Sequence, residues 1–144
     1  LQRGLDDIAR ESAKLPVRPR VYFEEWDEPM ISGIQWVAEL VRIAGGDDIF
    51  PERAEKSLAR DRILADGSEV IGRAPEIILG SWCGKKFRPE KVAARPGWQS
   101  VPAVRDGQLF EIKSPIILQP GPAALTDGVR EIATHIKRWN TRRK

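Results

Sequence analysis

The segment "IILGSWCGKKFRPEKVAARPGW", residues 77–98, carries the strongest fold signal in this 144-residue chain. Its apolar start predicts a buried strand, and "RPEKVAAR", with Pro89 near its beginning, predicts a short helix. The loop between them holds tryptophan, cysteine and lysines, where a plain turn would use Gly, Asn or Asp. A buried strand followed by a helix is the unit of a parallel sheet, and we therefore treat the loop as a candidate binding segment.

A second strand-helix unit precedes this segment. "RVYFEEW" predicts a buried strand around residues 21–24, because it is rich in aromatic and β-branched residues. We expect a helix to start at Asp27 or Glu28 with Pro29 and to end at Gly45-Gly46. The apolar face of that helix comprises Ile31, Ile34, Val37, Val41 and Ala44.

The remaining segments continue the alternation. Residues 47–66 are consistent with loops, a short helix and a short strand, and residues 68–73 predict a brief helix before the strand at 76–80. "GWQSVPAV" is interpreted as irregular or a weak strand, and Asp106-Gly107 as a turn into the last strand. The final helix is predicted from an apolar stripe of Leu125, Val129, Ile132, Ile136 and Trp139.

Strands separated by helices, with buried runs in place of alternating ones, predict an α/β fold with a mainly parallel sheet covered on both faces. Ligands bind such sheets beyond the carboxyl ends of the strands. We therefore expect the loops "EEWDEP", "SWCGKKF" and "KSPIILQPGP" to meet at one edge and to line a cleft.

Composition excludes several classes of site. One cysteine and one histidine allow neither an internal disulfide nor a Cys/His zinc site. The net charge of +3 is concentrated at the C-terminus, and no nucleic-acid-binding motif accompanies it. The dinucleotide and phosphate-loop glycine patterns are absent. With no apolar run of about 20 residues and no signal peptide pattern, we expect a soluble chain without membrane insertion.

The first residues predict an amphipathic helix with no capping residue before Leu1. The helix should stop near "LPVRP", because Pro16 and Pro19 remove backbone donors. We expect the chain to begin inside a helix that acts as a connector. The apolar stripe of this helix comprises Leu1, Leu5, Ile8 and Leu15, with Ser12 at the remaining position.

Four segments resemble one family over about residues 18–139. They are "RPRVYFEEWDEPMISGIQWVAELVRIAGGDDIF", "APEIILGSWCGKKFRPEKVAARPGW", "VPAVRDGQLFEI" and "SPIILQPGPAALTDG". Together they resemble the C-terminal lobe of the class III periplasmic substrate-binding proteins that carry cobalamin or iron–siderophore to ABC importers. Within that superfamily, "SWCGKKF" is most similar to proteins described as cobalamin-binding.

The resemblance implies two Rossmann-like lobes joined by a rigid helix, with the ligand between them. Residues 1–17 would end that helix and residues 18–144 would form a three-layer lobe; the N-terminal lobe and the export signal would be missing from this chain. It further implies a periplasmic or lipid-anchored location, an importer permease as partner, cobalamin or a related corrinoid as ligand, and no catalysis or cofactor. Iron–siderophore or haem is the alternative ligand.

Two other classes of function stay open from the residues alone. A doubly wound fold also serves enzymes and nucleotide-binding domains, although the glycine fingerprints and an acid–base pair are absent here. A basic interaction module would need its cations to converge on one face and its binding to fall steeply with salt.

The candidate ligand-binding residues come from the three predicted loops. The indoles of Trp26 and Trp82 offer flat apolar area to a corrin, but an aromatic that caps the core would give the same pattern. Trp36, Trp98 and Trp139 are assigned to packing. The full set of candidates is Glu25, Trp26, Trp82, Cys83, Lys85, Ser114 and Gln119.

The charged and reactive candidates have plain alternatives. Cys83 is interpreted as a small pocket residue, since a nucleophilic thiol needs a base and His135 lies on the far helix, at a surface or edge position. Lys85 is a candidate for an anionic group of the ligand, and a solvated lysine is its alternative. We expect four acids to balance the cations Lys85, Lys86 and Arg88 across the cleft, namely Glu24, Glu25, Asp27 and Glu28. The spacing of these acids does not indicate a metal site.

The resemblance also implies a docking acid for the permease. In the family it lies in a short helix, seven residues before the proline that precedes the central strand. Counting back from Pro75 reaches Ser68, which we interpret as a helix cap, with Glu69 beside it. We expect Glu69 to serve in that role, with a solvated acid at a helix start as the alternative.

Overall fold

The computed structural model describes residues 2–27, 30–33, 35–55, 59–64, 67–82, 86–112 and 127–143. Its strands are β1 (Arg20–Asp27), β2 (Met30–Ser32), β3 (Asp47–Asp48), β4 (Ile77–Gly80) and β5 (Leu109–Glu111). Its helices are α1 (Gln2–Ala13), α2 (Gln35–Ile43), α3 (Pro51–Ala54), α4 (Ser68–Arg73), α5 (Pro89–Ala93), α6 (Pro102–Arg105) and α7 (Val129–Arg143). Single 3₁₀ turns occur at Ala59–Arg62 and Trp98–Ser100.

The strands form one sheet in the order β2-β1-β4-β5, with β3 beside the start of β1. β1 pairs with β3 and β4 in parallel, and β4 pairs with β5 in parallel. The pair β1 and β2 is antiparallel. The sheet is therefore mainly parallel, which confirms the predicted α/β class.

Side chains of β1 and β4 alternate between two helical layers. On one side, here called the aliphatic core, Val21, Phe23, Ile77 and Leu79 pack with α2 and α7, and α1 adds half-buried Leu5 and Ile8. On the other side, here called the aromatic core, the buried members include six aromatic or large aliphatic side chains. They are Tyr22, Phe50, Ile78, Trp82, Phe87 and Trp98. Helices on both faces confirm the three-layer arrangement.

Most predicted elements are confirmed, including the middle segment and the final helix. Val129, Ile132, Ile136 and Trp139 of the α7 stripe are buried in the aliphatic core, whereas Leu125 lies outside the described residues. The turn at Asp106-Gly107 leads into β5, with Gly107 in the left-handed region at φ 69°. No helix in the described ranges is long and apolar enough to cross a membrane.

The predicted start of the second helix is wrong. Ile31 belongs to β2, which pairs antiparallel with the end of β1, and α2 begins only at Gln35. The pairing of Ile31 with Trp26, together with a bridge to Ile63, satisfies backbone groups that a helix would have bonded internally. Apolar spacing alone did not distinguish a three-residue strand from the first turn of a helix.

Two smaller expectations also change. "GWQSVPAV" forms a 3₁₀ turn and α6, because Pro102 at the first helical position favours a helix start over a strand. Helix α4 has the predicted bounds, but Gly67 occupies its N-cap position and Ser68 is its first residue.

Candidate functional site

Of the three predicted loops, "EEWDEP" is largely strand, since its residues 24–27 belong to β1. β1 and β4 are parallel neighbours with Glu24 opposite Gly80, so Asp27, at the end of β1, and Trp82, beyond the end of β4, lie at the same edge of the sheet. The third loop, with Ser114 and Gln119, lies outside the described residues. Adjacent carboxyl ends of parallel strands are where doubly wound sheets bind ligands.

A cavity of about 530 Å³ opens at this edge and is here called the edge pocket. Asp27 and Met30 line it from the end of β1 and the start of β2, and Ser68 and Ile71 line it from α4. The part of the chain after β4 contributes four further side chains to the lining, those of Trp82, Lys91, Arg95 and Trp98. Two indoles, two cations and a carboxylate line this pocket, and the Trp82 and Trp98 side chains are each only 1% exposed.

Trp82 forms a covered wall of the edge pocket. Its side chain is 1% exposed and packs edge to face on Phe87, with ring centroids 4.9 Å apart. Gly80 permits this packing, because a Cβ at that position would overlap the Phe87 ring. The burial agrees with the core-capping alternative for Trp82, and ligand contact by its indole stays a prediction.

A fully buried carboxylate, Glu24 of β1, lies behind this wall. It accepts hydrogen bonds from the Tyr22 hydroxyl at 2.8 Å and from Trp82 Nε1 at 2.9 Å. The Arg95 guanidinium donates two more, at 2.8 and 3.0 Å, and stacks on the Trp98 ring at 4.7 Å. Glu24 thus joins three side chains, those of Tyr22, Trp82 and Arg95.

The negative charge of Glu24 shifts the pKa values of Arg95 and Tyr22. Burial alone would lower the pKa of Arg95, but its hydrogen bonds to the Glu24 carboxylate and the negative charge there outweigh burial and raise it. Burial and the Glu24 charge raise the pKa of Tyr22 well above its ordinary value. At neutral pH Arg95 is therefore a cation, Tyr22 is a neutral phenol, and Arg95 forms a salt bridge with Glu24 at 2.8 Å.

Three members of the predicted balance of acids and loop cations have other partners, whereas Glu28 and Lys85 lie outside the described residues. Glu24 pairs with Arg95, and Glu25 pairs with the buried Arg62 at 2.7 Å. Arg88 pairs with Glu90 of its own helix at 2.7 Å. A buried carboxylate requires a close, directed partner, which an arginine provides through its fixed fork of donors.

The other candidate residues fall in different places. Trp26 is half-buried and packs against the aromatic core, and among the described lining residues of the edge pocket neither Trp26 nor Glu25 appears. Cys83 and Lys85 lie outside the described residues. The ligand contacts predicted for these four residues stay predictions.

His135, which the sequence analysis considered as a possible base for a nucleophilic Cys83, lies on α7. It is half-buried and stacks on Phe110 at 4.1 Å, and burial together with Arg138 lowers its pKa.

Sequence reasoning missed Arg95 and assigned Trp98 to packing alone. Trp98 is buried as expected, but it also lines the edge pocket beneath the Arg95 guanidinium. One sequence signal predicted a partner of this kind. A glutamate inside an apolar strand with neighbours on both sides needs a buried cation or several hydrogen-bond donors. The sequence does not say which of 24 lysines and arginines that cation is.

Glu69 lies in the first turn of α4, as predicted. Arg53 of α3 donates to both carboxylate oxygens at 2.8 Å, and the Glu69 side chain is 33% exposed. The carboxylate is thus held in one orientation on the surface while part of it stays accessible.

A second cavity, of about 450 Å³, lies between α1 and α7. Ile8, Leu15 and Ala133 give it an apolar floor, and charged side chains of the two helices line its rim. Within the described ranges no group of three or more His, Cys, Asp or Glu side chains is placed to hold a metal ion. The edge pocket is the candidate site, because it combines aromatic walls with the carboxyl edge of the sheet.

Comparison with known proteins gives a family and a fold. The sequence pattern of one family, described as periplasmic binding protein, matches residues 1–116. No curated protein matches the chain.

Several solved structures share the fold. The periplasmic vitamin B12 binding protein BtuF of Vibrio cholerae has a TM-score of 0.71 at 20% identity, over 96% of this chain and 51% of that chain. An ABC transporter substrate-binding protein from Listeria monocytogenes has a TM-score of 0.76 at 14% identity, over 94% and 53%. S. aureus IsdE complexed with heme has a TM-score of 0.72 at 17% identity, over 94% and 54%. The chain thus spans about half the length of these proteins.

Proposed function

The chain belongs to the periplasmic binding protein family, and on this premise we propose that it is the C-terminal substrate-binding lobe of an ABC importer's binding protein. Residues 18–144 would form the lobe, and residues 1–17, which include α1, would end the helix that joins it to an N-terminal lobe. The proposed location, by family, is the periplasm or the outer face of the cell membrane. The family consists of binding proteins, so the proposal contains no catalytic step.

The edge pocket is the observation that supports a binding role most directly. It lies at the carboxyl ends of β1 and β4, and its walls combine the indoles of Trp82 and Trp98 with the polar groups of Asp27, Lys91 and Arg95. Aromatic side chains beside a few directed polar groups in a concave site are typical of pockets that bind small molecules.

We propose cobalamin or a related corrinoid as that ligand. Vitamin B12 is named for one protein of the same fold, and Trp82, which lines the pocket, belongs to the segment "SWCGKKF". The charges around the pocket also favour a ligand without large net charge, because Glu24 compensates Arg95, and one further acid, Asp27, and one further cation, Lys91, line the pocket. Heme is named for another protein of this fold, and haem and ferric siderophores are therefore the competing ligands.

A titration of the purified chain tests the binding role. Cyanocobalamin, haem and a ferric siderophore are added separately, and binding is followed by the absorbance of each ligand. We expect weak saturable binding of cyanocobalamin, since a site shared between two lobes loses contacts when one lobe is missing. Saturable binding of haem or siderophore alone would replace the corrinoid, and binding of none of the three would remove this assignment.

The variant Trp82→Ala tests the location of the site. We expect it to weaken cyanocobalamin binding, because it removes a wall of the edge pocket. Trp139→Phe is the matched control, since Trp139 is a buried indole of α7 in the aliphatic core, on the far side of the sheet. Equal affinity of wild type and Trp82→Ala, with both folded, would place the site elsewhere.

We further propose that Glu69 docks this lobe to the permease. The carboxylate is partly exposed at the start of α4, and Arg53 fixes its direction. In a full-length binding protein with its permease, Glu69→Ala should reduce complex formation and leave ligand affinity unchanged. Glu90→Ala, an exposed acid on α5, is the control, and a complex unaffected by Glu69→Ala would assign docking to another acid.

A further inference from the structure

The buried carboxylate of Glu24 is surrounded by hydrogen-bond donors. It is 0% exposed, and its four bonds to Tyr22, Trp82 and Arg95 are all between 2.8 and 3.0 Å. A carboxylate has about four lone-pair positions, so its acceptor capacity is filled. Because all acceptor positions of the Glu24 carboxylate are used in the protein interior, its hydrogen bonds restrain the donor side chains as well as Glu24 itself.

The donors divide into two groups by position. Trp82 and Arg95 line the edge pocket, whereas Tyr22 belongs to the aromatic core and, among the described lining residues, is not one of the walls. Arg95 carries the effect further, because its guanidinium plane stacks on Trp98 at 4.7 Å. One carboxylate outside the pocket therefore holds the positions of three of its walls.

The chemistry at this position requires a carboxylate. An amide in its place would direct an NH₂ group at an indole N–H, a guanidinium or a hydroxyl, and the first two can only donate. Two of the five guanidinium N–H groups of Arg95 are used by Glu24, and the Arg95 side chain keeps 18% of its area exposed. The pocket wall thus retains donors for a ligand while the charge of Arg95 is compensated from behind.

We propose that Glu24 is the positioning residue of the edge pocket, which holds Trp82 and Arg95 in place for a ligand that it does not itself touch. The inference rests on the ligand-binding role proposed above. A role in folding alone is the competing explanation, and it predicts that affinity changes only as far as stability does.

The test compares Glu24→Gln with Tyr22→Phe. Glu24→Gln keeps the shape of the side chain and removes the charge and one acceptor, whereas Tyr22→Phe removes one donor and leaves the bonds to Trp82 and Arg95. For each folded variant, cyanocobalamin affinity is titrated. The indole N–H resonance of Trp82 is followed by ¹⁵N–¹H NMR and assigned with Trp82→Phe.

We expect Glu24→Gln to weaken cyanocobalamin binding about tenfold or more and to shift the Trp82 indole resonance, as loss of a charge-assisted hydrogen-bond partner does. Tyr22→Phe should change neither. If affinity or the indole resonance is the same in Glu24→Gln and wild type, or if both variants lose affinity in proportion to their stability, the proposal is overturned.

Two further outcomes are decided by the same design. If Glu24→Gln does not fold, Glu24→Asp keeps the charge opposite Arg95 but shortens the side chain, and wild-type affinity in that variant overturns the proposal. If wild type binds no cyanocobalamin, the corrinoid assignment fails, and the Trp82 resonance alone decides whether Glu24 positions the pocket wall.

Discussion

The two faces of the sheet are built from alternate residues of the same strands, yet they differ in kind. Val21, Phe23, Ile77 and Leu79 give the aliphatic core no polar side-chain atom, whereas the aromatic core contains the ion pair of Glu24 and Arg95. Trp82 and Trp98 of the aromatic core line the edge pocket. A face that must do no more than pack can be filled by any shape of suitable volume, but a face that borders a site must hold particular groups in particular directions.

Removal of the buried charge should produce the largest effect on stability. Glu24→Ala leaves Arg95, Trp82 and Tyr22 without their acceptor, and loss of one partner of a buried ion pair costs about 3–5 kcal/mol. Urea unfolding followed by circular dichroism measures the change in the free energy of unfolding. Glu90→Ala is the control, because its ion pair is exposed and no measurable change is expected. A stability equal to wild type in Glu24→Ala would show that the network is not needed for folding.

A cavity in the aliphatic core should have a comparable but slightly smaller effect. Leu79 is fully buried, and Leu79→Ala is expected to lower the free energy of unfolding by about 2–5 kcal/mol through lost burial and a residual cavity. Unlike Glu24→Ala, it should leave the Trp82 indole resonance unchanged, because Leu79 packs on the opposite face. A shifted Trp82 resonance in Leu79→Ala would contradict the separation of the two faces.

Asp48 of β3 is a further carboxyl group whose burial lowers stability. Burial raises the pKa of Asp48 to about 7, against the Phe50 N–H hydrogen bond and Arg73, which lower it, and Glu52 adds to the rise. Among the described residues its Oδ2 atom has no hydrogen-bond partner. The folded state therefore binds more protons than the unfolded state between about pH 4 and pH 7, and stability should fall as the pH rises through that range.

Asp48→Asn tests this linkage. The neutral side chain should raise the free energy of unfolding at pH 8 by about 1–3 kcal/mol and flatten its dependence on pH between 4 and 7. Thermal unfolding at several pH values measures both effects. Asp47→Asn is the matched control, since Asp47 is an exposed neighbour on the same strand. An unchanged pH profile in Asp48→Asn would assign the titration to other groups.

Loss of one neutral donor should have the smallest effect. Tyr22→Phe removes one of the four hydrogen bonds to Glu24 and retains the buried ring, so we expect a loss of about 0.5–1.5 kcal/mol in the free energy of unfolding. Urea unfolding compared with Glu24→Ala checks the ratio of the two effects. A loss as large as that of Glu24→Ala would mean that the hydroxyl, and not the ion pair, stabilises the aromatic face.

The fold was predictable because its signals are local. The apolar runs at 21–24 and 76–80 predicted β1 and β4, and the proline at position 89 predicted the start of α5. The error at Ile31 arose where a strand of three residues depends on its partner strand and not on its own sequence. Local propensity determines long elements better than short ones.

The candidate site was predictable only as a region. The parallel arrangement brings Asp27 and Trp82 to one edge, as expected from strand order, and this places the edge pocket. Arg95, which follows α5, was not identified, because its role depends on a bond to a residue 71 positions away. No spacing rule within a single sequence connects such a pair.

The sequence by itself determined the class of the fold, most of the longer strands and helices and the family resemblance, since these depend on periodicity, turn residues and segment order along the chain. Only the tertiary structure decided which cation meets Glu24, which indole is covered and which residues enclose the pocket. Those outcomes depend on distances between residues that are remote in sequence. A buried carboxylate selects its partner by geometry in the folded state, and composition fixes only that some partner must exist.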